Sequence, residues 1–157
     1  MAPPKLGAGA PAPDFTLAGT GDRDYTLSEY RGNPVVLVFY PGDNTPVCTM
    51  QLNSYTSDID RFNEVGAQVL GISPQDVESH DRFSDVHGFQ FPLLADTEKQ
   101  VARAYGVLGP VGFYRRSVFV IDAAGVVRYA HRATAGLTFR PVDELIAAVE
   151  AANTPLS

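Results

Sequence analysis

The stretch PVVLVFYPGDNTPVCTMQL, residues 34–52, joins an apolar run to a helix-like segment and contains the only cysteine of the chain, Cys48. Residues 34–40 are β-branched and apolar almost without interruption, which is typical of a strand buried on both faces. Residues 41–44, Pro-Gly-Asp-Asn, have the composition of a turn. Thr45 suits a helix N-cap, and the proline after it suits the first helical position. The stretch therefore predicts a strand, a tight turn and a helix whose first turn holds the cysteine.

Other segments of the chain also have the patterns of strands and helices. Two further apolar runs, 67–73 and 117–122, predict strands at the centre of the same sheet, and Val126 to His131 follows a Gly turn as an antiparallel partner. Helices are predicted from Thr45 to about Glu64, from Pro74 to Gly88, from Asp96 to Gly106 and over 140–153. The order β-α-β-α-α-β-β-α indicates an α/β fold, a mixed central sheet with helices on both faces. In the second helix Val77, Phe83 and Val86 are expected to face the core.

Length and charge limit the number of domains and the kinds of partner expected. The 157 residues predict a single domain, 1–157, with residues 1–13 as a loose, proline-rich arm. Eighteen acidic residues against 12 basic ones give a net charge of −6, without a basic run, so neither nucleic acid nor an anionic membrane is an expected partner. The N-terminus lacks an apolar leader and no stretch is long enough to span a bilayer, so a cytoplasmic location is expected.

A single cysteine limits the chemistry available to Cys48. It cannot form an intramolecular disulfide, and no C-x-x-C or His-rich spacing accompanies it, so we expect no metal and no cofactor. In the first turn of a helix, unpaired N–H groups and the positive end of the helix dipole stabilise a thiolate. We therefore predict a reactive thiolate rather than a small buried hydrophobe.

The neighbours of Cys48 exclude several thiol enzymes. A C-x5-R phosphatase needs Arg at the position of Ser54, and a dithiol oxidoreductase needs a second cysteine at the position of Thr45. A cysteine hydrolase needs a histidine base, but all three histidines are expected to be solvated: His80, His87 and His131. The remaining thiol chemistry is attack on a small electrophile such as a peroxide oxygen, because a thiolate that is already ionised needs no general base.

Two neighbours suit such a reaction on their own chemistry. Thr45 lies three residues before Cys48 on the same turn and can place its hydroxyl beside the sulfur. Pro41 can hold the turn over the sulfur and keep out bulk water and large thiols. A nearby cation would complete a site that stabilises charge on the departing oxygen.

Pro41-x-x-x-Thr45-x-x-Cys48 resembles the active-site motif of the peroxiredoxins. The resemblance extends over roughly residues 9–150 through APDFTL, LSEYRGNPVVLVFYP, FPLLAD, YGV and RSVFVIDAAG. It is strongest to the bacterioferritin comigratory protein or Q-type branch, with the alkyl hydroperoxide reductase E type as a near relative. It implies a thioredoxin-like fold with an N-terminal extension and a thiol-dependent peroxidase with Cys48 as the peroxidatic cysteine.

The resemblance also assigns the remaining site residues. Gln51 becomes the polar residue that orients an arginine, and family members place that arginine three residues before the Phe of the following strand. Counting back from Phe119 selects Arg116 over its neighbour Arg115. An arginine suits this role because its charge persists at any working pH and its planar fork reaches two acceptors.

One departure from the family sets the expected mechanism. Many Q-type members carry a resolving cysteine five residues after the first, where this chain has Asn53. Oxidised Cys48 is therefore expected to be reduced by an external thiol or by a redoxin of the thioredoxin or glutaredoxin type. A thioredoxin-fold binding or holdase module and a peroxide sensor are the alternatives. The sequence does not indicate which peroxide is preferred or whether the protein forms a homodimer.

Overall fold

Strands and helices alternate along the computed structural model, which describes residues 6–109, 112–133 and 139–154. The strands are β1 (Thr16–Gly19), β2 (Arg23–Thr26), β3 (Val35–Phe39), β4 (Gln68–Ser73), β5 (Leu93–Ala95), β6 (Ser117–Ile121) and β7 (Val127–Arg132). The helices are α1 (Pro46–Ser57), α2 (Ile59–Glu64), α3 (Val77–His87), α4 (Gln100–Tyr105) and α5 (Val142–Ala152), with a 3-10 turn at Leu27–Tyr30.

The strands form one mixed sheet in the order β2-β1-β5-β4-β3-β6-β7. β3 pairs in parallel with β4 and antiparallel with β6, and β6 continues into the hairpin with β7. The three apolar runs predicted as central strands are therefore β4, β3 and β6, side by side. The predicted mixed sheet is confirmed.

Alternate side chains of β3 enter two separate cores, because successive residues of a strand point to opposite faces. Val36 and Val38 pack with Cys48 and with buried residues of α1, α2, α3 and α5. Leu37 and Phe39 pack with residues of α4 and of the N-terminal segment. Helices therefore cover both faces, as predicted, and α1 carries the cysteine onto the first face.

Several predicted boundaries were wrong. The helix expected over 45–64 is two helices, since Asp58 leaves helical geometry with φ −107° and ψ 21°. The break changes the direction of the chain between α1 and α2, and buried Phe62 makes an edge contact with the ring of Tyr55. The predicted order also omitted the N-terminal hairpin and β5, whose four-residue and three-residue strands are too short for a periodic signal.

The inward face of α3 was also predicted wrongly at one position. Phe83 is fully buried, but the side chain of Val86 is 76% exposed. His80, expected in solvent, is fully buried instead. The buried face of the helix thus runs through residues 80 and 83, three apart, and ends before residue 86, which faces solvent.

The segment expected as a loose arm is attached to the sheet where the structure describes it. The amides of Gly9 and Ala12 donate to Val127 and Gly125, and the amide of Val127 donates to Ala10. Residues 1–5 of the expected arm lie outside the described residues. Over the described ranges, no helix has the length and hydropathy required to cross a bilayer.

Candidate active site

Strand register brings the arginine to the cysteine. β3 and β6 are antiparallel with Phe39 opposite Ser117, so the start of β6 lies beside the end of β3. Arg116 immediately precedes β6, and the turn that leads to Cys48 immediately follows β3. Two residues 68 positions apart in sequence therefore meet where the end of β3 lies beside the start of β6.

The guanidinium of Arg116 contacts the sulfur directly. Its Nη1 lies 3.3 Å from Cys48 Sγ and donates to Gln51 Oε1 at 2.6 Å. Arg116 is 4% exposed, and Cys48 and Gln51 are fully buried. The structure thus brings together three of the five residues predicted from sequence, around the first two turns of α1.

A hydrogen-bond chain continues from Gln51 to the surface. Gln51 Nε2 donates to the hydroxyl of Tyr55 at 3.1 Å, and that hydroxyl donates to the carbonyl of Arg140 at 3.0 Å. Burial raises the pKa of Tyr55 to about 12, against the opposing effects of Gln51 and Arg116, so this phenol stays protonated. We call Arg116, Gln51 and Tyr55 the arginine cluster. In this cluster an uncharged amide and an uncharged phenol hold the guanidinium against the sulfur, so Arg116 is its one ionised member at neutral pH.

The helix start leaves backbone donors open beside Cys48. Thr45 is the N-cap with extended φ and ψ, and the proline after it is the first helical residue, as predicted. Among the described contacts, the Thr45 side chain makes no capping bond, and its hydroxyl donates to the carbonyl of Gly42 at 3.1 Å. The amides of Val47 and Cys48, within the first turn, have no intrahelical acceptor. They are therefore oriented towards any anion or oxygen that reaches the helix start.

Pro41 is half-buried. It follows Tyr40, the residue just after β3, whose amide donates to the carbonyl of Ile72 in β4 at 3.0 Å. Proline has no amide hydrogen, so it cannot extend the pairing of β3. Asn44, just before the N-cap, has a positive φ of 64°, a conformation that Asn adopts more readily than most residues. Residues 41–45, which we call the Cys48 loop, are thus shaped by proline, glycine and asparagine, as the turn composition predicted.

A second buried cluster anchors the Cys48 loop at Asp43. Asp43 accepts hydrogen bonds from Tyr40, at 2.8 Å, and from Ser79, at 2.7 Å, and its Oδ2 lies 2.8 Å from Nδ1 of His80. The Nε2 of His80 lies 3.0 Å from the carbonyl oxygen of Leu94. We call Tyr40, Asp43, Ser79 and His80 the histidine cluster.

Burial opposes ionisation of Asp43, but hydrogen bonds and the charge of His80, together with hydrogen bonds from Ser79 and Tyr40, outweigh it and lower the pKa of Asp43. Burial, and then the negative charge of Asp43, raise the pKa of Tyr40 well above its usual value. Asp43 is therefore a carboxylate and Tyr40 a phenol throughout the neutral range. The cluster is an ionised acceptor surrounded by donors.

Sequence reasoning missed Tyr55 and the whole histidine cluster. A usable signal existed for His80, which is three residues after Val77 and three before Phe83, on the face assigned to the core. Asp43 gave no such signal, because aspartate is ordinary in a turn. Arg115, the alternative to Arg116, is half-buried and its amide donates to the carbonyl of Val107.

No group of three His, Cys, Asp or Glu side chains suited to a metal ion occurs within 6–109, 112–133 and 139–154. The guanidinium of Arg116 lies 3.3 Å from the sulfur, and a guanidinium is not a metal ligand. The arrangement suits an anionic sulfur nucleophile with a fixed cation beside it.

Comparisons with known proteins agree on one family. The model of the AhpC/TSA family matches residues 8–130. A chloroplastic peroxiredoxin Q of Oryza sativa subsp. japonica is 37% identical over 131 residues, which are 81% of this chain and 59% of that protein. A Mycobacterium tuberculosis protein named as a peroxiredoxin is 36% identical over 140 residues, which are 83% of this chain and 89% of that protein.

Solved structures give the same result. Peroxidoxin BcpB from Mycobacterium tuberculosis matches with a TM-score of 0.84 and 31% identity, covering 93% of this chain and 97% of that one. Peroxiredoxin Q of Xanthomonas campestris matches with a TM-score of 0.79 and 31% identity, covering 87% and 90%. The chain spans about three-fifths of the length of the plant relatives, 59% for the rice protein, and nearly all of the bacterial structures.

Proposed function

The chain belongs to the AhpC/TSA family, and from this premise we propose that it is a thiol-dependent peroxidase that reduces hydrogen peroxide or organic hydroperoxides through Cys48. The family match and the similar structures confirm the predicted resemblance to peroxiredoxins of the Q type and the thioredoxin-like fold. The observation that carries the proposal is the 3.3 Å contact between Arg116 Nη1 and Cys48 Sγ in the first turn of α1.

The first step follows from this contact. The thiolate of Cys48 attacks the terminal oxygen of the peroxide, so that a sulfur–oxygen bond forms and the oxygen–oxygen bond breaks. The other oxygen leaves as alkoxide or hydroxide and takes a proton from water. Arg116 stabilises the sulfur anion and the charge on the departing oxygen, which is the usual means of lowering such a barrier. The products are a sulfenic acid on Cys48 and an alcohol or water.

Thr45 and Pro41 have supporting roles in this proposal. The Thr45 hydroxyl already donates to the carbonyl of Gly42, so its oxygen remains free to accept a hydrogen bond from the peroxide. The open amides of the first turn can donate to the peroxide oxygens. Pro41 shapes the rim of the Cys48 loop and limits the size of what reaches the sulfur.

The second step needs a thiol from another molecule, because Cys48 is the only cysteine in the sequence. That thiol displaces water from the sulfenic acid and forms a mixed disulfide, and a second thiol then releases Cys48 and leaves as the disulfide. We propose a low-molecular-weight thiol or a redoxin of the thioredoxin or glutaredoxin type as donor. Without a donor, a second peroxide molecule oxidises the sulfenic acid to sulfinic acid and is itself reduced to water or an alcohol.

The substrate class has one further support. A solved structure of the Xanthomonas campestris bacterioferritin comigratory protein, 31% identical, is described by its alkyl peroxide reduction activity. Hydrogen peroxide and an alkyl hydroperoxide are therefore the two substrates to compare first. The cytoplasmic location and the homodimer stay predictions.

Rapid mixing with each peroxide tests the proposal. We expect one fast oxidation per chain, a sulfenic acid that can be trapped, and no oxidation in Cys48→Ser. Adding a thiol donor should restore continuous turnover, and mass spectrometry should show the mixed disulfide at Cys48. Absence of a trapped sulfenic acid would favour a binding or holdase module. Oxidation that no tested thiol reverses would point to a peroxide sensor.

A further inference from the structure

The histidine cluster presents an unusual hydrogen-bond count at His80. Its Nδ1 faces the carboxylate of Asp43 at 2.8 Å, and its Nε2 faces the carbonyl of Leu94 at 3.0 Å. Both of these partners are acceptors, and the Tyr40 hydroxyl, 3.4 Å from Nδ1, donates at the shorter distance of 2.8 Å to Asp43 Oδ1. A neutral imidazole has one N–H and one lone pair, so it satisfies only one of them, whereas a doubly protonated imidazole satisfies both. The side chains of His80 and Asp43 are almost completely buried, at 0% and 1% exposure, so water does not compensate for a lost bond.

The same contacts fix the Cys48 loop from several elements. Tyr40 reaches Asp43 from the end of β3, and Ser79 and His80 reach it from the first turn of α3. The amide of Asp43 donates to Gln75 Oε1 at 2.8 Å. The loop is therefore held at Asp43, five residues before Cys48, through a carboxylate whose only nearby cation among the described side chains is His80.

The loop must both close and open around Cys48 if the proposed function holds. The sulfur is fully buried, so an incoming thiol of any size needs the surrounding chain to move. Peroxide attack, in contrast, needs the reacting atoms held in line, and small misplacements cost much of the rate. A contact that holds the loop in one protonation state and releases it in another would affect the two steps in opposite directions.

We propose that His80 and Asp43 are positioning residues for Cys48: doubly protonated His80 ties the Cys48 loop to β5 through Asp43 and Leu94, and loss of one ring proton loosens the loop. This inference rests on the proposed function for its effect on turnover, but not for its effect on the loop. Histidine is the side chain that changes charge between about pH 5 and pH 8, within the range where the enzyme can be assayed.

Few other groups bear on the charge of His80. Asp43 from the loop and Tyr40 from β3 are the titratable partners within hydrogen-bond reach, and β5 contributes only the Leu94 carbonyl. On α3 itself Ser79 is uncharged, and the acidic side chains Asp76, Glu78, Asp81 and Asp85 flank the cluster in sequence without a described bond to the imidazole. The ring of Tyr40 lies 6.3 Å from that of His80.

The decisive variant is Asp43→Asn, which keeps the shape and removes the charge. The Asn oxygen can still accept from Tyr40, and its NH2 group can donate both to the Ser79 hydroxyl and to the Nδ1 of a neutral His80. The Nε2–H of that neutral ring then donates to Leu94. Both ring nitrogens of His80 and the side-chain atoms of residue 43 are then satisfied without a second ring proton, so the loop should lose its dependence on the charge of His80.

The test combines two readouts that do not require activity. Nitrogen-15 NMR of labelled histidine follows the ring protons of His80 between about pH 5 and pH 8, and amide hydrogen exchange, corrected for intrinsic rates, follows residues 43–48 over the same range. In the wild-type chain, loop protection should fall roughly tenfold or more as the second ring proton is lost, the equivalent of one hydrogen bond to a charged group. In Asp43→Asn, protection should not change with pH.

His80→Gln and His87→Gln form the matched pair. His87 lies on the same helix and packs against Phe83 and Phe89, so its replacement removes packing without touching Asp43. Loop protection and the rate of Cys48 oxidation should fall in His80→Gln, the rate by about tenfold to 10²-fold, and not in His87→Gln. Equal effects of the pair, or the same pH dependence in Asp43→Asn as in the wild type, would overturn the proposal. A wild-type chain that peroxide does not oxidise would instead overturn the proposed function and leave the exchange results standing.

Discussion

Two buried polar clusters contact the segment around Cys48, one at the sulfur and one at Asp43, and they differ in which groups can ionise. The arginine cluster touches the sulfur through a guanidinium, and its other members are an amide and a phenol. In the histidine cluster, the carboxylate of Asp43 in the Cys48 loop contacts the imidazole of His80. One cluster therefore contains an arginine, whose charge is fixed at any working pH, and the other pairs a carboxylate with a histidine.

This difference separates chemistry from positioning. In the proposed mechanism, the charge of Arg116 beside the sulfur does not vary with pH, so the transition state would keep its cation under all assay conditions. The group that holds the loop can vary, so access to the sulfur can change while the reactive contact is preserved. Damage to the arginine cluster should therefore appear in the rate of oxidation, and damage to the histidine cluster in the mobility of the loop as well.

The largest effect should come from Arg116→Ala. Loss of the guanidinium removes the donor 3.3 Å from the sulfur, and removal of one preorganised donor costs roughly 10²-fold or more in rate. Arg115→Ala is the matched control, because Arg115 is adjacent in sequence and half-buried. Stopped-flow oxidation should show the loss only in the first variant. Greater sensitivity of Arg115 would mean that the position counted back from Phe119 was wrong.

Thr45→Val should rank with Arg116→Ala if its hydroxyl binds the peroxide. Valine keeps the shape and removes the only oxygen of the side chain, so oxidation should slow by roughly 10²-fold. The structure gives the hydroxyl one described bond, to the carbonyl of Gly42. A change limited to loop exchange, with the oxidation rate intact, would assign Thr45 to the loop rather than to the peroxide.

The sequence predicted the arginine cluster better than the histidine cluster, for a physical reason. Strand, turn and N-cap signals placed Cys48 in the first turn of α1, and β-branched runs placed three strands at the sheet centre. The distance between Arg116 and Cys48 depends on strand register, which periodicity does not encode, and only the family resemblance selected the arginine. Tyr55 was missed because a tyrosine on a buried helix face is ordinary core.

The histidine cluster was missed because it combines residues that are each unremarkable. Asp43 has the composition of its turn, and His80 was grouped with the acidic, solvated residues of α3 instead of with Phe83, three positions later. Burial of a histidine depends on whether a partner satisfies it, and that partner lies 37 residues earlier in the chain. Local patterns carry no information about such a pair until the fold brings it together.

A smaller effect on rate is expected from Tyr55→Phe. The substitution removes the hydroxyl that accepts from Gln51, in buried surroundings, and donates to the Arg140 carbonyl, in partly buried surroundings. Unfolding in urea should show a loss of about 1–3 kcal/mol in the free energy of unfolding, the usual range for a buried group left without its partner. Because Gln51 still accepts from Arg116, oxidation should slow only a few-fold. A loss as large as that of Arg116→Ala would mean that Tyr55 fixes the guanidinium itself.

The smallest effect should come from Glu144→Gln, at the outer end of the same chain of contacts. Hydrogen bonds from Arg140 and then Tyr129 lower the pKa of Glu144 from 4.5 to about 2. Because the folded-state pKa is lower, ionised Glu144 stabilises the fold above about pH 4.5, and this contribution is lost as the pH falls towards 2. The variant should therefore be slightly less stable than the wild type at neutral pH, and the difference should disappear near pH 2.

Urea unfolding of both chains across this pH range measures that difference, since the other carboxylates titrate alike in both. The stabilisation should be small, because the Arg140–Glu144 pair is more than one-third exposed, at 38% and 35%, and solvent screens it. The Tyr55 hydroxyl bonds the Arg140 carbonyl and not its guanidinium, so loss of the surface charge should leave the position of Gln51 and the rate of Cys48 oxidation unchanged. A rate that fell with Glu144→Gln would show that surface charge reaches the sulfur through the arginine cluster, and that its charge environment is not fixed after all.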